Sequence, residues 1–223
     1  MRRKGDRPGV REGYDRWSTS YDRTPNPLVA LDRRYTVGIL GPRRGEHILD
    51  AGCGTGANLG AMVHAGSVPV GLDLSHGMLR TTRRKFPAVP LAQADLNDPL
   101  PVRRRSFDAV LCALVGEHLT DLRGLFRELF VSLRNGGRLV FSVFHPEMVA
   151  AGIEANFEEA DVEYRLGAVA HRVTDYLDLI ERSGFRRIAA AEYCGDRTLA
   201  AEIPRAAKYL DQPLLLTVQA LKP

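Results

Sequence analysis

The chain has 223 residues, of which 44% are apolar and 26% charged, and a formal net charge of +4. That is enough for one domain with a sizeable core and too little for two ordinary ones, and it excludes the disordered and fibrous classes. No apolar run approaches the ~18 residues of a membrane helix, and no secretory leader follows the basic start. The three cysteines, Cys53, Cys112 and Cys194, are too scattered for a disulfide framework or a metal site. The expectation is therefore a cytoplasmic protein with no membrane partner and no metal.

Much of the positive excess sits in Arg2, Arg3, Lys4, Arg7 and Arg11. Residues 1–9 read as a disordered basic tail ahead of a single domain over 10–223. Tyr14 to Tyr21 reads as a short helix and Leu28 to Leu40 as a longer one. Glu46 to Ala51 is a short apolar strand that runs into glycines, and Ala57 to Ala65 the helix after it. Val68 to Leu72, Val89 to Ala94 and Phe107 to Leu114 are further strands, with a helix at His76 to Lys85. The third of them is nearly continuous in apolar residues, as a central parallel strand should be. Leu119, Leu122, Phe126, Leu129, Phe130 and Leu133 recur at helical spacing, so Leu119 to Leu133 is a helix, ended by Asn135-Gly136-Gly137. Arg138 to Phe144 is the fifth strand. This alternation predicts an α/β fold: a Rossmann-like, seven-stranded, mostly parallel sheet with helices on both faces. Beyond Phe144 the rhythm changes. Asn156 to Ala170 alternates like a small hairpin, so lid elements are expected at about 10–27 and 146–172. Val173 to Arg182 is an amphipathic helix capped by Gly184. Phe185 to Tyr193 and Leu214 to Ala220 are the last strands, paired antiparallel at one edge.

The chemistry concentrates in Ile48-Leu49-Asp50-Ala51-Gly52-Cys53-Gly54-Thr55-Gly56, a strand, a glycine-rich turn and the start of a helix. The glycines admit a ligand where a Cβ would collide. A carboxylate at Asp50 repels a pyrophosphate but attracts an ammonium. Asp73, at the end of the second strand, can accept from both hydroxyls of a ribose, which would suit NAD equally, but the loop lacks the G-x-G-x-x-G spacing of a dinucleotide site. Cys53 reads as a small filler without redox chemistry.

Residues 48–56, 71–78, 95–96 and 107–118 together resemble the class I S-adenosylmethionine-dependent methyltransferases, in particular the small-molecule enzymes similar to the ubiquinone and menaquinone methyltransferases. The resemblance extends over roughly 14–223. It implies S-adenosylmethionine as cofactor and S-adenosylhomocysteine as product. It also implies that Gly52 to Gly56 lie against the methionine part, that Asp73 holds the ribose, and that Leu74 and Met78 cover the adenine. Asp95 would accept from the adenine amino group and Leu96 would donate through its backbone. Cys112, Ala113 and Leu114 would stand beside the sulfonium. Each has a plainer rival: Met78 as core, and Asp95 as the shaper of a turn with Asn97, Asp98 and Pro99. The segment from Tyr14 to Asp22 resembles the family's aromatic cover over the methionine end, with Tyr14 and Tyr21 on one helix face. A helix merely packed on the sheet is the alternative.

Three histidines stand where an acceptor could sit: His118 past the fourth strand, His145 directly after the fifth, and His171 at the start of the late helix. Neutral imidazole suits a base near pH 7, and His145 is the first choice because a strand end holds it rigidly. The segment after the fourth strand has no Asn-Pro-Pro-Tyr or Asp-Pro-Pro-Tyr motif. An oxygen or carbon nucleophile on a small molecule is therefore expected, or an amine on a small apolar one. Two rivals remain: a tRNA or rRNA methyltransferase that uses the basic surface, and a catalytically silent subunit of the same fold that binds a partner. Either monomer or homodimer is compatible with this reading.

Overall fold

Alternation along the central strands sets the layers. In the computed structural model, which describes residues 3–4 and 7–223, strand β5 (Phe107–Ala113) sends Val110 and Cys112 to one face and Ala109, Leu111 and Ala113 to the other. Strand β6 (Leu133–Phe144) does the same with Leu139, Phe141 and Val143 against Val140. A strand buried on both faces needs a helical layer on each, which gives three layers. Helices α5 (Leu122–Ser132) and α7 (Val173–Arg182) cover the first face. Helices α2 (Pro27–Leu40), α3 (Leu59–His64) and α4 (His76–Lys85) cover the second.

The remaining sheet strands are β2 (His47–Ala51), β3 (Val68–Asp73), β4 (Leu91–Gln93), β9 (Arg186–Cys194) and β10 (Pro213–Leu221). Their order is β4-β3-β2-β5-β6-β10-β9. Strand β10 runs antiparallel to both its neighbours, and the β2–β3, β2–β5, β3–β4 and β5–β6 pairs are parallel. This is the expected seven-stranded, mostly parallel sheet with its last strand reversed.

The helices begin on residues that satisfy free N–H groups. Asn26 accepts from Leu28 and Val29 at α2, Ser75 from Met78 at α4, and Asp121 from Gly124 at α5. The α5 helix stops earlier than periodicity implies. Leu133 is already extended, and Asn135-Gly136-Gly137 lies inside the irregular start of β6, where Gly136 (φ +76°) bonds to Lys222 rather than closing the helix. Helix α6 (Pro146–Ala150) and helix α8 (Arg197–Glu202) were not anticipated.

Between β6 and α7 a hairpin forms from β7 (Asn156–Glu159) and β8 (Val162–Arg165), at the position expected for a lid. It shares a small separate core with helix α1 (Val10–Trp17): Trp17, Phe157 and Leu166 are buried together, and the Trp17 and Phe157 rings stack 5.4 Å apart. The expected disordered tail at 1–9 falls in part on residues 1–2 and 5–6, which lie outside the described residues. Its described part is tied to the hairpin: Arg3–Lys4 (β1) pair parallel with Val162 and Glu163, and Arg7 donates to Glu154 at 2.8 Å.

Candidate functional site

A cavity of about 430 Å³ lies at the C-terminal ends of β2, β3, β4 and β5, the end where ligands bind in sheets of this kind. Of the residues expected to hold a cofactor, Tyr14, Tyr21, Gly52, Cys53, Gly54, Thr55, Asp73, Leu74, Met78, Asp95, Leu96, Ala113 and Leu114 line it. Asp50, Ala51, Gly56 and Cys112 do not; they belong to the strand ends and loop that support the lining. The loop is shaped by backbone needs. At Gly52 (φ +88°) a Cβ would collide with the Val115 side chain. At Gly54 (φ +53°) a Cβ would meet no atom within 4 Å, because it would project into open space beside the lining.

Carboxylates dominate the floor. Asp73 accepts from the backbone N–H of Gly54 and of Ser75, both at 2.8 Å, yet burial still pushes its carboxyl up to about 6. Asp50 has neither advantage. Both its oxygens are shielded and without a hydrogen-bond donor among the described residues, and burial, reinforced by Asp73 and Asp32, pushes it up to about 8. Asp32, on α2, lines the cavity and accepts from Thr36 and Ser142. Such a floor suits a ligand that brings positive charge and hydroxyl donors. The Cys53 and Cys112 thiols are pushed up by burial and stay protonated. Asp95 lines the cavity, and its carboxylate closes a turn by accepting from Asn97 N.

The N-terminal segment is clamped over this cavity at three points. Tyr14 Oη and His118 Nε2 are 2.9 Å apart. Asp15 accepts from Ser75 Oγ and from Gly77 N at the start of α4, where the helix dipole favours an anion. Asp22 accepts from Thr55 in the glycine loop and pairs with Lys85. Beyond the clamp lies a second chamber of about 140 Å³, which shares Tyr14, Tyr21, Val29 and Leu114 with the first. Leu114 holds a left-handed backbone (φ +55°) at this junction, a conformation that costs a non-glycine residue about 1–2 kcal/mol.

Of the three candidate histidines, only His118 lines the cavity. His145 lines neither chamber. Its ring is fully buried, Nδ1 accepts from Glu147 N to cap α6, and Nε2 stands 3.5 Å from Glu192. His171 bonds through Nε2 to the Leu119 carbonyl and lines an open outer groove instead. Sequence reasoning passed over Asp32 and Glu117. An acid four residues before Thr36 on a helix, and an acid four residues past the end of β5, were the available signals.

The sequence family described as "Methyltransferase domain" matches residues 49–141. The demethylmenaquinone methyltransferase of Tropheryma whipplei (strain Twist) is 32% identical over 148 residues, which is 64% of this chain and 62% of that protein. That of Clavibacter sepedonicus is 35% identical over 147 residues, 62% of this chain and 59% of that protein. The match thus spans less than two thirds of the length of these curated relatives. The crystal structure of an S-adenosylmethionine dependent methyltransferase from Mesorhizobium loti superposes with a TM-score of 0.73 at 26% identity, covering 86% of this chain and 97% of that one. Residues 49–141 thus match the methyltransferase-domain family, and the chain has the fold of the class I S-adenosylmethionine-dependent methyltransferases with a distant similarity to the demethylmenaquinone methyltransferases.

Proposed function

We propose that this chain transfers a methyl group from S-adenosylmethionine to a small-molecule acceptor. The observation that carries the reading is the adjacency of two chambers, one of about 430 Å³ on the glycine loop and one of about 140 Å³ beside it, which share Tyr14, Tyr21, Val29 and Leu114 in their linings. Methyl transfer is an in-line displacement, so the protein's work is alignment and exclusion of water. S-adenosylmethionine supplies, when bound, a methyl carbon already activated by a positively charged sulfur.

The residues present fit that group. The unpartnered Asp50 carboxylate gives negative potential at the strand end for a cation, and Gly54 leaves room that any Cβ would fill. Asp73 accepts from the ribose hydroxyls, Leu74 and Met78 cover the adenine, and Asp95 with Leu96 meets its edge. Cys53, Thr55 and Gly56 shape the loop against the methionine part, with Ala51 and Cys112 behind. Ala113 and Leu114 flank the sulfur, and Tyr14 and Tyr21 close the chamber from above. Of the three histidines, His118 is the one we favour as a base where the acceptor must lose a proton, because it lines the first chamber and meets Tyr14 at 2.9 Å.

Calorimetry tests the reading: S-adenosylhomocysteine should bind and NAD should not. In Asp73→Ala the lost charged hydrogen bonds should weaken S-adenosylhomocysteine by about 1.5–3 kcal/mol. Binding of NAD with no response to S-adenosylhomocysteine would overturn it.

A further inference from the structure

The wall of the second chamber is largely aromatic and apolar, with Tyr14, Trp17, Tyr21, Phe144 and Tyr209 among its residues. Two carboxylates interrupt it. Glu154 is neutralised by Arg7 and Arg165. Glu117 is not. It sits in the single helical turn after β5, is only 4% exposed, makes no side-chain hydrogen bond or ion pair among the described residues, and has its Oε2 shielded from solvent. It lines the second chamber and is absent from the lining of the first, so the cofactor cavity does not supply its partner. Burial pushes the Tyr14 and Tyr21 hydroxyls up, and Glu117 is among the nearby carboxylates that add to it. Arg205 and Lys208 also reach this chamber, but both are exposed. Water and salt screen an exposed charge far more than a buried one, so Glu117 dominates the chamber's selectivity.

A buried acid among ring faces is a receptor for a cation bearing N–H donors, since the rings attract the charge and the carboxylate accepts the hydrogen bonds. We propose that the second chamber takes a small primary or secondary amine, with Glu117 as the residue that binds its nitrogen. This rests on the methyl-transfer reading. It selects the amine from the acceptor classes that the sequence left open. The bound ammonium gives one proton to Glu117. The freed lone pair forms the new N–C bond while the methyl carbon's bond to sulfur breaks with its electron pair left on sulfur. The positive charge passes from sulfur to nitrogen, and one proton per turnover leaves through Glu117.

The chain has a single tryptophan, Trp17, and it stands in this wall, so its fluorescence reports occupancy without any turnover. Phenethylamine and 2-phenylethanol share a skeleton and differ in the group offered to Glu117. In the wild type the amine should bind at least about tenfold more tightly than the alcohol, a difference of roughly 1.4 kcal/mol. Glu117→Gln should bring the two affinities together, and Glu117→Asp should restore part of the preference. S-adenosylhomocysteine affinity, measured on the same samples, should be unchanged and certifies that each variant is folded. Equal binding of amine and alcohol in the wild type, no response of Trp17 to either, or a preference that survives Glu117→Gln would overturn the proposal. If S-adenosylhomocysteine binds throughout, the failure is confined to the amine; if it does not bind the wild type, the methyl-transfer reading itself fails.

Discussion

Asp50 is a buried acid with no hydrogen-bond donor on either oxygen among the described residues. Its carboxyl stands at about 8 in the folded chain, raised first by burial and then by Asp73 and Asp32, against about 3.9 in an unfolded one. A carboxyl raised on folding favours the folded state below the unfolded value, and that contribution is lost as pH rises through the folded value. The cofactor-free protein should therefore lose stability from this group between about pH 4 and pH 8. Asp50→Asn removes the titration, so its melting temperature relative to wild type should climb from pH 5 to pH 9. A difference that stays flat over that window would show that Asp50 is not buried as an acid. Asp50, the glycines after it and Asp73 were legible in the sequence because contiguous segments carry them. Glu117 and Asp32 were not legible as site residues, because their meaning depends on which cavity the fold turns them toward. The same holds for the histidines: His118, His145 and His171 look alike as residues near strand ends, and only the backbone path separates the one on the cavity from the helix cap and the outer groove.

At the scale of elements, period-2 and period-3.6 patterning located the sheet strands and the helices at 76–85 and 173–182 closely. It failed where another bond overrode the pattern. The start of β6 is drawn into the sheet by Lys222, and the bonds of Gly136 and Gly137 there replace the helix stop that the glycines imply. The short helices α6 and α8 carry too few residues for periodicity to register. The hairpin was legible in the alternation of residues 156–170, and what the sequence did not show is the satellite core of Trp17, Phe157 and Leu166 that joins α1 to it. A core this small has little to lose. Phe157→Ala removes a ring stacked on both Trp17 and Tyr164, a change that costs about 3–5 kcal/mol in a packed interior. Hydrogen exchange should then accelerate together at residues 10–23 and 155–166, while the amides of β5 and β6 keep wild-type protection. Acceleration spread evenly over the central strands would mean that lid and sheet unfold as one unit.

Over the whole molecule a group of carboxylates lies at one end of the sheet and a group of arginines at the other, with Arg11 and Arg33 also lining the cavity and Glu46 and Asp108 the opposite groove. The carboxylates Asp32, Asp50, Asp73, Asp95 and Glu117 gather at or beside the two chambers, at the C-terminal ends of the parallel strands or on the helix packed there. The exposed Arg103, Arg104 and Arg105 precede β5, and Arg43, Arg44 and Arg134 line an open groove at the N-terminal strand ends. The two ends are about 20 Å apart, the span of a seven-residue strand. The arrangement explains how a chain of net charge +4 can present an acidic site, and it bears on the RNA alternative. A polyanion drawn to the basic end by its phosphates would hold its bases a sheet's length from the cavity. If so, polyanion binding and cofactor binding are energetically independent, and independence is reciprocal: neither ligand should change the affinity of the other. The check is to measure S-adenosylhomocysteine affinity with and without saturating tRNA, and tRNA retention as a function of salt. Replacing Arg103, Arg104 and Arg105 by serine should flatten the salt dependence of any tRNA binding and leave S-adenosylhomocysteine affinity within twofold, about 0.4 kcal/mol. A tRNA that tightens S-adenosylhomocysteine, with the effect abolished in the triple variant, would instead place the nucleic acid in contact with the site and make RNA the acceptor.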